Sequence, residues 1–199
     1  MFSNFHKLPA VNFTCYMNKS YILGLLLAFS VSFTFAQKPT SVKSPLDISY
    51  LPVNFAHDHK PGEKAIAKVI YSRPSKNDRE IFGGLVPWGK VWRAGANGST
   101  EIKFYQDVQL ADQSLKAGTY SLFVIPNEKE WTVIFNTDVD YWGAYSYNEK
   151  NDALRINVPV KNSDSVAETF TIQFKPSEKN KANLVMFWDK AIADIPFNY

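Results

Sequence analysis

The chain has 199 residues, 45% of them apolar and 21% charged, with 9 Gly, 11 Pro and one Cys, a balance that excludes a disordered, collagen-like or disulfide-stapled protein. Its formal charge of +3 is set largely by the N-terminus, because the first 36 residues hold Lys7 and Lys19 and no acid, and the 20 basic side chains that follow face 19 acidic ones. So nearly neutral a body carries no electrostatic footprint for nucleic acid or anionic lipid.

From Met17 the chain reads as a secretory signal peptide. Lys19 forms the basic end, an apolar run extends from Tyr21 to about Val31, and Thr34-x-Ala36 gives a small-residue cleavage site ahead of Gln37. The run is shorter than the ~20 apolar residues of a spanning helix, so no membrane span is expected after cleavage. Residues 1–36 are therefore assigned to the signal region, with Met17 as the start codon preferred by this pattern and a helix expected in the signal itself. Cys15 lies before the apolar run, so a lipoprotein anchor is not indicated. The chain after residue 36 has no cysteine and must be held by its core alone, as an exported protein of the periplasm or cell exterior.

Residues 37–63, with Pro39, Pro45, Pro52 and Pro61, read as an extended arm packing through Leu46, Ile48, Tyr50 and Phe55. Within it, His57-Asp58-His59 offers two imidazoles that a strand would place on one side, but the setting between Asn54 and Pro61-Gly62 reads as a solvated turn, and no further zinc ligand is identifiable. Residues 64–199 form the β domain. "AKVIYS" at 67–72, "STEIKFYQ" at 99–106 and "DVQL" at 107–110 are strand candidates. "TYSLFVI" sets Tyr120, Leu122 and Val124 on one face against Thr119, Ser121 and Phe123, "PNEK" is a turn in composition, and "EWTVIFN" puts Trp131, Val133 and Phe135 on a single face. Tyr120 to Asn136 is thus a predicted hairpin. "ALRINVPV", "ETFTIQFK" and "NLVMFWD" repeat the period-two alternation. The result is an all-β fold, an antiparallel β-sandwich or jelly-roll-like barrel of about eight or nine strands.

Two stretches lack a clean period, 73–98 and 137–152, and both are rich in aromatic residues and glycine. Long irregular segments in a compact domain are commonly functional. The first supplies a basic and aromatic cluster in and beside it, Arg73, Trp88, Trp92, Arg93, Asn97 and Glu101, and the second adds Trp142 among Tyr141, Tyr145 and Tyr147. A guanidinium presents a flat donor fork to an anion or a hydroxyl pair, and an indole face stacks on a sugar or covers the guanidinium; Gly95 and Gly98 would let the backbone approach a ligand closely. The scaffold alternative is that Arg93 pairs with Glu101 or Glu80 while the indoles plug the core. Asn136, Asp138 and Asp140 begin like a calcium loop, but Tyr141 and Tyr147 stand where its glycine and bidentate glutamate belong, which excludes an EF-hand.

The run "VIYSRPSKNDREIFGGLVPWGKVWRAGANGSTEIKF" carries three motifs: Y-S-R-P at Tyr71 to Pro74, G-x-x-x-x-G-K-x-W-R-x-G-A-N at Gly84 to Asn97, and T-x-I-x-F at Thr100 to Phe104. In these, and in "AGTYSLFVIP", "YWGAYSYNEKNDALRINVPV" and "ANLVMFWDKAIADIPF", the chain resembles the secreted bacterial proteins of domain-of-unknown-function family 2911 over about residues 46–198. The resemblance implies an exported, mostly β domain and no particular activity.

Neither a cysteine nucleophile, a G-x-S-x-G elbow nor a phosphate loop is present, and no cofactor or metal is expected. The reading that results is a non-enzymatic binding module for a small anionic or sugar-like ligand. Two alternatives stand beside it: a carboxylate-based hydrolase acting on glycans, and a structural or protein-partner module.

Overall fold

A computed structural model describes residues 42–199. The signal region, its start at Met17 and its cleavage site lie outside the described residues. Strand β1 (Leu46–Leu51) is followed by a single helical turn, α1 (Phe55–Asp58), then by β2 (Ala67–Ser72), β3 (Thr100–Phe104), β4 (Val108–Leu110) and β5 (Gln113–Leu115). The chain continues through β6 (Gly118–Pro126), β7 (Glu130–Asn136), a 3₁₀ turn at Glu149–Asn151, β8 (Asp152–Pro176) and β9 (Lys181–Asn198). Among the described residues no helix is long and apolar enough to cross a membrane.

All the strand pairings are antiparallel, as the alternation predicts. The strands join in one continuous nine-stranded sheet, in the order β1-β2-β3-β6-β7-β8-β9-β4-β5. Continuity comes from β8, which pairs with β7 as far as Pro159 and with β9 from Val160 onward. Proline has no N–H to give a ladder, and Pro159 stands where β8 changes partner. Register shifts between Asn162 and Thr171 give the irregularity that lets a strand bend. The far half of β8 thereby crosses back over the first strands. Phe170 N donates to Pro74 O at 3.0 Å, Phe174 N to Ser49 Oγ at 3.4 Å, and the Phe170 ring meets Tyr71 edge-on at 5.9 Å. The apolar faces of the two halves enclose one core, with Trp131, Trp188, Phe104 and Leu122 at 0–1% exposure.

The predicted hairpin forms as β6 and β7, closed by Asn127 N to Glu130 O at 3.2 Å. Its outer face holds a surprise. Phe123 and Ile134 are as buried as the inward residues, and from the 137–151 segment Tyr147 packs edge-on to Phe123 at 5.1 Å. In β1 the packing parity differs from expectation: Leu46 and Ile48 are 73% and 42% exposed while Leu51 is buried. The inward positions are Asp47, held by Tyr71 and Arg73, Ser49 and Leu51.

Candidate functional site

The first irregular segment is docked on the sheet. Trp92 N donates to Val124 O at 2.7 Å and Val124 N returns a bond to Trp92 O at 2.8 Å, so Trp92 extends the sheet alongside β6, beyond the start of β3. Its indole enters the core, stacked on Trp188 at 6.0 Å and edge-on to Phe170 and Trp131. Burial leaves an indole N–H in need of an acceptor, and Nε1 donates to Gly95 O at 3.0 Å. A Cβ on Gly95 would lie 3.2 Å from both Ser72 O and Thr100 Oγ1, so its bareness serves internal packing.

The next side chain, Arg93, lies where the two irregular segments meet. Ser99 N donates to Tyr141 O and Gly143 N to Asn97 O, both at 2.9 Å. Gly143 is buried at φ +73°, and a Cβ there would come within 2.9 Å of Arg93 Nη1 and 2.8 Å of the Tyr145 ring. The guanidinium and the tyrosine ring thus both pack against this glycine. Among the described residues no carboxylate pairs with Arg93, so the expected partnership with Glu101 or Glu80 is not formed. Its Nε is the one buried side-chain nitrogen or oxygen among them that has no hydrogen-bond partner. Native proteins leave few such groups.

Beside Arg93 opens a cleft of about 440 Å³. Three cations line it, Arg79, Lys90 and Arg93, and no aspartate or glutamate does. Trp92 and Trp188 contribute to its base, Leu85, Val86, Pro87 and Val91 to its apolar wall, and Ser44 and Tyr145 its remaining polar side chains. Arg79 is fixed by Nε to Lys76 O at 2.9 Å and Nη2 to Ser75 O. Like charges gathered without counter-charge favour an anion, each contact at ~4 Å bringing roughly 1–4 kcal/mol before desolvation and salt are set against it. The lining lacks the carboxyl pair that glycoside hydrolysis would need at this face.

Of the seven sequence-predicted ligand residues, Trp92 and Arg93 line this cleft. Arg73 is engaged elsewhere: Nη1 lies 3.3 Å from Asp47 Oδ2, Nη2 donates to Thr171 Oγ1 at 3.1 Å, and Nε to Phe170 O at 3.4 Å. It ties β8 to the β1–β2 edge. Trp88, 40% exposed and stacked on Phe82 at 6.0 Å, lines a separate hollow of about 140 Å³ with Asn127 and Glu128. Asn97, at φ +59°, joins the two segments through its carbonyl. Glu101 accepts from Asp140 N at 3.0 Å and lines a hollow with Lys68 and Lys103. Trp142 is 70% exposed and bridges to Gly98 through its backbone. Arg79, Lys90 and Leu85 line the cleft from the same irregular segment, outside the seven sequence-predicted ligand residues.

The second segment is anchored by its own polar network. Asp138 accepts from Tyr141 Oη at 2.7 Å and from Asn151 Nδ2, and these donors hold its carboxyl below the ordinary range. Asp152 accepts from Tyr147 Oη at 2.7 Å, Asn136 Nδ2 at 2.7 Å and Arg155 Nε at 2.5 Å. Burial first, and then the Asp152 carboxylate, push Tyr147 up to about 12. Among the described residues no group of three or more His, Cys, Asp and Glu side chains is placed to hold a metal. His57 and His59 belong to α1 and its C-cap; His59 stacks on Phe55 at 4.8 Å and bonds its carbonyl, and the His57 side chain is 91% exposed.

The fold and site define an antiparallel β domain with a cationic cleft where two irregular segments meet. A family model described as a protein of unknown function, DUF2911, matches residues 56–197; the chain belongs to this family. No curated protein and no solved structure matches it.

Proposed function

We propose that this protein is a binding module for a small anion, held in the cleft at Arg93 with Arg79 and Lys90 as flanking cations, and that it works outside the cytoplasm after export on the leader read at residues 1–36. The observation that carries the reading is a cleft lined by three cations and no carboxylate, one of them, Arg93, without an ion-pair partner among the described residues. An anion in the cleft would supply the counter-charge that the chain does not give Arg93. The alternative of a hydrolase has no carboxylate pair in this cleft to support it. Arg73, with its internal partners, behaves as scaffold.

Isothermal titration of the purified protein at low ionic strength tests the reading with acetate, glucuronate, phosphate and aliphatic carboxylates against neutral glucose. At least one anion is expected to bind, glucose not to, and Arg93→Ala to weaken the bound anion tenfold or more, as loss of a charge-assisted hydrogen bond of about 1.5–3 kcal/mol implies. Anion binding indifferent to Arg93→Ala, or none at all, would overturn it.

A further inference from the structure

We infer that the ligand of this cleft is an amphiphilic anion, an acidic head carried on an aliphatic or aromatic body, and not an acidic sugar. The inference rests on the anion reading and narrows it by asking what the rest of the ligand touches.

Hydroxyl groups of a sugar need acceptors as well as donors. The three charged side chains of the cleft are donors only, since neither guanidinium nor ammonium accepts a hydrogen bond. Among the remaining lining side chains only Ser44 and Tyr145 carry a polar group of the accepting kind; amides and carboxylates, the side chains that take up a sugar's hydroxyl protons, are missing from the lining. A hexose bound here would find few side-chain acceptors for its hydroxyl protons.

The wall next to the cations is apolar instead. Leu85, Val86, Pro87 and Val91 form it, and Leu85 is 47% exposed, so a large aliphatic side chain of the cleft faces water. Covering such surface is favourable. The volume, about 440 Å³, falls within the range of small-molecule sites. Charge complementarity therefore fixes the head of the ligand at Arg93, Arg79 and Lys90, and the aliphatic wall fixes its body.

The test is isothermal titration of the full chain with octanoate, 3-phenylpropionate, acetate, glucuronate and octanol, repeated on Arg93→Gln and Leu85→Ser. Octanoate or 3-phenylpropionate is expected to bind at least tenfold more tightly than acetate and glucuronate. Leu85→Ser, at an exposed position, should weaken the amphiphile severalfold and leave acetate unchanged, whereas Arg93→Gln should weaken every anion. Glucuronate or acetate binding as tightly as octanoate, with Arg93→Gln weakening all of them, would overturn the amphiphile inference and leave the anion reading standing. Octanol matching octanoate in the parent and in Arg93→Gln, or no anion binding, would overturn both readings.

Discussion

Two arginines of the same segment, Arg73 and Arg93, meet opposite fates because of what the fold brings to them. Arg73 reaches Asp47 in β1 and Thr171, 98 residues away in β8, whereas Arg93 is set against a bare glycine. Gly143 makes that placement possible. At φ +73° an L side chain is strained, and a Cβ would intrude on both Arg93 Nη1 and the Tyr145 ring. Gly143→Ala is therefore expected to cost about 1–3 kcal/mol of stability in urea denaturation and to weaken anion binding by displacing the guanidinium. A loss below about 0.3 kcal/mol would show that the two segments do not meet as described. The irregular segment holding the cleft was legible in the sequence through its missing period and its arginine and tryptophan content. Which arginine has its donors engaged was not, because the deciding partners come from distant strands. The cleft's acceptor-poor chemistry was equally hidden, since Ser44 joins it from before β1 and Tyr145 from the second segment.

At the level of elements, β1 illustrates how alternation can mislead. Leu46 and Ile48 are the more apolar parity at its start, yet they face outward on an edge strand, while Asp47 and Ser49 point to groups that β2 and β8 supply. Only at Leu51 does the inward parity become apolar. Leu51→Ala is accordingly expected to cost about 2–4 kcal/mol and Ile48→Ser no more than about 0.5 kcal/mol, both read from urea midpoints; the opposite order would invert the assigned register. Where both faces of a strand have consistent surroundings, the pattern reads true, as in β2 and β3. It fails where one strand serves two partners. The "KNSDSVAE" stretch has the composition of a loop, yet it is the irregular middle of β8. The inward series Ala193, Ile195 and Phe197 in β9 was present to be read, though Pro196 interrupts its strand character.

On the scale of the whole molecule, two phenols, Tyr71 buried and Tyr147 half-buried, stand at joints between layers. Tyr71 lies in β2 and donates to Asp47 of β1 at 3.0 Å while packing against Phe170 of β8; Tyr147 ties the second segment to β8 through Asp152 and covers Phe123. Burial is the first cause that pushes both up, from the ordinary 10 to about 12, with the neighbouring aspartates adding to it. Between those values the folded chain keeps protons that the unfolded chain releases, so unfolding sheds protons and stability declines as pH rises. The contribution is complete below about pH 10 and is lost as pH climbs through about 12. Since both joints link parts of one core, their ionisation should lower the stability of the domain as a unit. Urea unfolding followed by tryptophan fluorescence, which reports the buried Trp92, Trp131 and Trp188, is expected to remain a single transition whose midpoint falls from pH 9.5 to 11.5. Tyr71→Phe and Tyr147→Phe, each destabilising at neutral pH through the lost hydrogen bond, should both show a shallower decline than the parent over that interval. Equal slopes in parent and variants would mean that these phenols titrate as if exposed, and the two joints would then not be closed in solution.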